Sequence, residues 1–291
     1  MIDNYLWEEL ATFAEHKTLA KTAEALHVTQ PSITRGMQKL EDELGVILFN
    51  RQPNRITLTE TGELAASEAQ KILSLNREVI AKISNFYQSK EIISVAFSIP
   101  GPRILLHYIE DQLESNVIIE DMLQLKNLIT LLDQRGHTLI LSNQEIVTNE
   151  IESTFIGIEQ LAVNLNKFMY QASQSSILFS ELNGLSFLVL SDIGIWKKII
   201  QENIHHTKFL YQKEEEAFLE ISKYSDFPYF STNISKLSPQ FNQRNSMDSN
   251  RVTLPIGDND AQMKIYANYL KVEKKKVSHL LETITAYWPT W

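Results

Sequence analysis

Residues 10–62 read LATFAEHKTLAKTAEALHVTQPSITRGMQKLEDELGVILFNRQPNRITLTETG, and their periodicity decides the N-terminal fold. Apolar residues recur at helical spacing in three sets: Leu6, Leu10 and Phe13; Leu19, Ala23 and Leu26; Ile33, Met37, Leu40 and Leu44. His27-Val28-Thr29 separates the second helix from the third. Thr29 suits an N-cap, and Pro31 suits a first turn, where its missing N–H costs nothing. Gly45 stands where a left-handed residue closes the third helix. From Val46 to Thr59, the residues Ile47, Leu48, Phe49, Ile56 and Leu58 surround Pro53-Asn54, which predicts a two-stranded wing with a turn at its tip.

A helix, a short turn and a second helix that starts with polar and basic residues place that second helix's first turn in a major groove. The expected readers are Thr29, Gln30, Ser32, Thr34 and Arg35. Gln30 can bond an adenine edge at two atoms, and Arg35 can reach guanine or phosphate. Ser32 and Thr34 can serve either class of acceptor. The free amides of the helix start also attract phosphate.

From Thr59 to about Tyr87 the pattern is one long helix, entered through Thr59-Glu60-Thr61-Gly62-Glu63. Ala65, Ala69, Ile72, Asn76, Val79, Ile83 and Phe86 form a heptad seam with a polar residue at its centre. Such a seam lies either on its own domain's core or against a second copy. Dimerisation is favoured, because a long helix directly after a small domain has little of its own to cover it. After Glu91 come short apolar runs, IISVAF at 92–97, LILS at 139–142 and FLVL at 187–190, alternating with amphipathic stretches such as 103–113. That texture predicts βαβ units, a mostly parallel sheet and two α/β lobes, with crossovers near 160 and 260. A last helix is expected over roughly 260–287, with Ile265, Tyr269, Val277, Leu280, Leu281 and Ile284 inward and Lys274-Lys275-Lys276 in solvent.

The 291 residues allow two domains or three lobes, and 43% hydrophobic with 22% charged residues is the balance of an ordinary globular protein. No apolar run is long enough to span a membrane, and Met1 to Leu10 lacks a basic end followed by a greasy stretch, so a cytoplasmic location is expected. The absence of cysteine excludes disulfides and thiolate chemistry. Net charge is −9; residues 1–90 hold ten Lys/Arg against twelve Asp/Glu, net −2, so DNA contact must rest on a few placed residues instead of a bulk field. Linear signatures of nucleotide binding, serine hydrolysis and zinc proteolysis are missing, and neither an enzymatic activity nor a cofactor is expected. His205-His206 reads as surface, Asp258-Asn259-Asp260 as a helix entry without the spacing of a calcium loop, and Glu214-Glu215-Glu216 as a solvated turn or helix face.

Through residues 10–62 the chain resembles the LysR-type transcriptional regulators: LxxFxE, the AxxLxVTQPSIT run, the LExELG block, LFxR and the LTxTG ending occur in order. The resemblance implies an α/β protein overall. Residues 1–58 would be a winged helix-turn-helix and 59–90 a dimerising linker helix. Residues 91–291 would form an effector domain similar to periplasmic binding proteins, lobe I at about 91–160 and 266–291, lobe II at about 161–265. It places Gln30, Pro31, Ser32, Thr34 and Arg35 on the recognition helix and sets Arg51 and Arg55 beside the wing. It also implies an effector between the lobes, held near Ser98, Pro100 and Gly101, with Ser142 and Asn143 on the same side and Ser231 and Thr232 opposite. A helix start near Arg103 suits a small anionic molecule. Implied partners are a double-stranded DNA operator, the effector and further copies of the chain as a homodimer or homotetramer; no membrane is involved. Three departures stand out: Lys17 where glycine is frequent, Thr22 where alanine is frequent, and Gly36 inside a helix. Rival readings are a small-molecule binding protein that ignores DNA, disfavoured by the N-terminal motifs, and an enzyme using the inter-lobe cleft, which needs a catalytic cluster that no motif supplies.

Overall fold

A computed structural model describes residues 1–52, 55–88, 90–123, 127–239, 241 and 250–290. Contacts divide the chain into two compact units, 1–84 and 85–291.

The first unit opens with α1 (Asn4–His16), α2 (Leu19–Ala25) and α3 (Gln30–Leu44). Strands β1 (Phe49–Gln52) and β2 (Arg55–Leu58) pair antiparallel, with Phe49 opposite Leu58 and Gln52 opposite Arg55. The turn expected at Pro53-Asn54 lies outside the described residues. Leu6, Leu10, Phe13, Ile33, Met37, Leu40, Leu48 and Phe49 close a core in which the Phe13 and Phe49 rings meet edge-to-face at 5.5 Å. Each predicted helical stripe therefore buries the face that its period marked.

Three of the shared motifs have a mechanical reason. Glu41 is buried; its Oε1 accepts from the backbone N–H of Leu48 at 2.7 Å and of Phe49 at 3.0 Å, and its Oε2 pairs with Arg51 at 2.6 Å. The acid of LExELG and the arginine of LFxR thus tie α3 to the wing. Thr59 donates to the Ile47 carbonyl and accepts from the Gly62 N–H, each at 3.0 Å, and a Cβ on Gly62 would run into the Leu48 carbonyl. That combination fixes the Thr-x-x-Gly entry to α4 (Glu60–Gln88).

The departures are explained as well. Lys17 caps α1 with φ 60°, a left-handed geometry that glycine adopts at lower cost. Thr22 is fully buried, and its hydroxyl donates to the Thr18 carbonyl at 2.8 Å. Gly36 makes room for a carboxylate: a Cβ there would overlap that of Glu9, which is itself buried.

The second unit holds a sheet in the order β4-β3-β5-β11-β6-β9-β7-β8, with β10 also on β6. Strands β3 (Ile93–Phe97), β4 (Val117–Met122) and β5 (Leu139–Ser142) are parallel to one another. Strands β7 (Ser186–Leu190), β8 (Lys208–Gln212) and β9 (Tyr229–Thr232) are parallel among themselves. Between the two sets run antiparallel β6 (Ile151–Asn166) and β11 (Gln262–Leu270). The first part of β6 pairs β11, and its end, Leu161–Asn166, pairs β9 on one side and β10 (Arg251–Pro255) on the other. The long strand that joins the lobes was not foreseen. Helices α5 (Pro100–Tyr108), α6 (Leu128–Asp133), α7 (Trp196–Asn203) and α8 (Glu215–Tyr224) cover the sheet.

Two expectations are corrected. Residues 262–270 are strand, and the last helix, α9, begins only at Lys274 and ends at Ala286. Met263, Ile265, Ala267 and Tyr269 are all buried, so the period is two; Ile265 and Tyr269, four apart, satisfy a helix and a strand equally. In the seam of α4, Ala65 and Ala69 pack on the first unit's own core together with Ala66 and Leu73. Asn76 is half-buried, whereas Ile72, Leu75, Val79, Ile80 and Ile83 are exposed, Ile83 to 65%. Phe86 lies under the Arg135 guanidinium at 4.7 Å, and Arg135 is paired with Glu273 at 2.7 Å.

Candidate nucleic-acid interface and inter-lobe cleft

The first turn of α3 is built by its cap. Thr29, with extended backbone, accepts from the Ser32 N–H at 3.4 Å, and the two hydroxyls bond each other at 2.9 Å. Thr34 donates to the Gln30 carbonyl at 3.1 Å. Three of the expected readers are thus engaged in holding the turn, and Pro31 occupies its start. Gln30 and Arg35 are exposed, and neither side chain makes a hydrogen bond or ion pair among the described residues.

Gln30 and Thr34 share a concave surface of about 850 Å³ with Arg51 and Arg55 of the wing and with Lys17. Lys17 was missed as a contact because it was read only as a displaced glycine. Arg51 has one edge committed to Glu41 and remains 42% exposed on the other, whereas Arg55 is exposed without a partner among the described residues. Thr29, Pro31, Ser32 and Arg35 lie outside this concavity. The arrangement gathers three basic side chains against one acid, Glu63, around a helix start, on a chain whose net charge is negative.

In the second unit a cavity of about 190 Å³ opens between the first turn of α5 and the strands and helices that follow β6. Of the residues expected there, Pro100, Gly101, Ser231 and Thr232 line it; Ser98, Ser142 and Asn143 do not. Ser142 is fully buried, and its hydroxyl accepts from Asn268 Nδ2 at 3.0 Å and donates to the Gln144 carbonyl at 3.1 Å. It is bound into the strand ends, so the expected contact with a ligand is corrected. Ser98 is buried with its hydroxyl unbonded, and Asn143 Oδ1 is likewise buried without a partner, both away from the cavity lining.

The residue that sequence reasoning missed is Glu159, on β6. Its side chain is 2% exposed and lines the cavity. Oε1 accepts from Trp196 Nε1 at 3.2 Å, while Oε2 is buried with no hydrogen-bond partner. A Cβ on Gly101 would overlap this carboxylate, so it packs directly on the first turn of α5. Burial pushes the Glu159 carboxyl up to about 7, against the pull of Thr232 and Trp196 toward the charged form. The other ionisable lining groups are Asp192 and Glu215; among the described residues no lysine, arginine or histidine lines the cavity. The signal available in the sequence was a lone acid inside the apolar run Ile158 to Val163.

The model of the family described as "Bacterial regulatory helix-turn-helix protein, lysR family" matches residues 7–63. The HTH-type transcriptional regulator DgcR of a Pseudoalteromonas species is 23% identical over 199 residues, 64% of this chain and 68% of that protein. The DNA-binding transcriptional dual regulator OxyR of Escherichia coli K12 is 35% identical over 107 residues, so the match spans only 34% of OxyR's length. A structure of Vibrio fischeri DarR in complex with DNA has the same fold, with TM-score 0.59 and 16% identity over 98% of this chain and 99% of that one. By sequence, residues 7–63 match the helix-turn-helix domain of the LysR family of bacterial regulators, and the chain shares its fold with DarR.

Proposed function

We propose that this chain is a sequence-specific DNA-binding transcriptional regulator whose DNA binding or activation is set by a small molecule held in the inter-lobe cleft. The observation that carries the reading is the start of α3: exposed, capped by Thr29, with Gln30 in one concavity with Arg55 and Lys17, and with the Arg35 side chain exposed and unbonded among the described residues. Gln30 and Arg35 read base edges, Thr34 supports them, and Arg51, Arg55 and Lys17 meet phosphates or the minor groove. Thr29 and Ser32 share one bond, and whichever hydroxyl accepts in it keeps its own O–H to donate to DNA.

The exposed part of the α4 seam, Ile72 to Ile83, joins two copies, in a homodimer or a homotetramer. A two-fold dimer engages half-sites about one helical turn apart. The effector acts through different affinity for two arrangements of the oligomer. The matched relatives named above are regulators, and we assign no catalytic step to this chain. An operator target places it in the cytoplasm; no described helix is long and apolar enough to cross a membrane.

Selection of genomic fragments by the purified chain, at low and near-physiological salt, tests the reading. A short inverted repeat, bound less tightly as salt rises, is the expected result. No enriched sequence at either salt from folded, oligomeric protein would overturn it.

A further inference from the structure

An anionic effector would need a cation or free helix amides in the cleft, and both needs meet Glu159. Its carboxylate already lies on the first turn of α5, the place where a helix start attracts negative charge. Among the described residues the remaining ionisable lining, Asp192 and Glu215, is acidic as well. Apolar and aromatic groups complete the wall, among them Trp196, Phe218 and Phe230. A buried carboxylate oxygen without a partner is costly, and an aromatic wall beside it favours a cation over an anion.

We propose that the inter-lobe cleft takes a small, mainly apolar molecule carrying a protonated amine, which pairs with the Glu159 carboxylate while its carbon skeleton packs on Trp196 and Phe230. This rests on reading the cleft as the effector site and names the ligand class that the site accepts. Glu159 touches α5 through Gly101 and α7 through Trp196, so an ammonium bound there contacts elements on both sides of the cleft.

Proton linkage gives a signature that a merely structural Glu159 lacks. With its carboxyl near 7, the empty cleft holds a partly protonated acid at neutral pH, and a bound ammonium keeps it ionised. The charged groups facing it are Asp192, ahead of α7, and Glu215, at the start of α8; Arg103 on α5 and Lys236 after β9 are exposed and outside the lining. Amine affinity therefore rises about tenfold from pH 6 to pH 8, with about half a proton released per molecule bound near pH 7. A carboxylate ligand would show the opposite slope and take up protons.

The test is isothermal titration of the full chain, in buffers of differing ionisation enthalpy, with 2-phenylethylamine, cyclohexylmethylamine and n-hexylamine. Each is run beside a carboxylate of similar shape: 3-phenylpropionate, cyclohexylacetate and heptanoate. Binding of at least one amine with proton release, absence of carboxylate binding, and a tenfold or greater loss of amine affinity in Glu159→Gln are expected. The pH slope of the unaltered chain carries the test should that variant fail to fold. Carboxylate binding in preference to amines, or no amine binding by folded protein, overturns the proposal. Fragment selection with the same preparation separates the two readings: operator binding without amine binding refutes only the ligand class, and amine binding without operator binding refutes only the regulator.

Discussion

Glu41 in the first unit and Glu159 in the second are both buried carboxylates, and they differ in what fills their oxygens. Glu41 holds two backbone amides and Arg51; Glu159 holds one indole N–H and leaves Oε2 bare. Around Glu41 the polar groups hold the wing against α3, so that this surface is fixed before DNA arrives. At Glu159, in the wall of the second unit's cavity, one acceptor is left unfilled, and under our proposal a ligand answers it. A rigid reader and an incomplete cleft are what a ligand-controlled regulator needs from its two ends.

Breaking the filled site gives the largest expected effect. Glu41→Ala strands the Leu48 and Phe49 amides and frees Arg51, and should cost about 3 kcal/mol of stability in the N-terminal unit, at roughly 1–3 kcal/mol per unmet buried group. Glu41→Gln keeps one acceptor and should cost clearly less; urea titration of both variants measures the gap. Next comes the exposed seam. Ile83→Asp puts a charge on an apolar strip, and sedimentation should show dissociation at concentrations where the unaltered chain stays associated, a loss of about 2 kcal/mol for one buried isoleucine. Ala69→Ser, a similarly placed change in the unit's own core, should lower thermal stability and leave association intact.

Arg35→Ala should weaken operator binding by about 1–3 kcal/mol and relax preference at one base pair, read by titration against single-base variants of the operator. Equal weakening on every sequence would make Arg35 a phosphate contact.

The smallest effects sharpen the comparison inside the first unit, where Glu9 repeats the motif of a buried acid pressed on a glycine. Burial first, and the neighbouring Glu8 second, raise the Glu9 carboxyl to about 7, above its ordinary 4.5. Its folded-state value lies above the unfolded one, so its proton supports folding fully below 4.5, and that support is lost as pH rises through 7. Glu9→Gln should therefore flatten the stability profile across that window and raise the midpoint of thermal unfolding above pH 7. Gly36→Ala should destabilise the unaltered chain and be better tolerated with Glu9→Ala, a coupling that a double-mutant cycle isolates.

The N-terminal fold was legible because its motifs are mechanical parts. Thr29, Glu41, Arg51, Thr59 and Gly62 each perform a fixed local task at short sequence distance, and short-range order is what a linear pattern records. The α/β character of the second unit was legible from its apolar runs, which became β3, β5 and β7. Strands β6 and β11 were not, because a stretch buried on both faces loses its alternation, and Ile265 with Tyr269 fits either period. Half of the cleft was placed by analogy to strand ends. Ser142 failed as a lining residue because Asn268, 126 positions away, claims its hydroxyl, and Glu159 escaped notice because its meeting with Gly101 and Trp196 is wholly long-range.

Footprinting of the full chain on a selected genomic fragment tests the central claim most directly. Two protected major-groove patches about 10 bp apart, related by a two-fold axis and both weakened by Arg35→Ala, are the predicted result. A single patch, or even protection along the fragment that ignores the Arg35 substitution, would contradict the account.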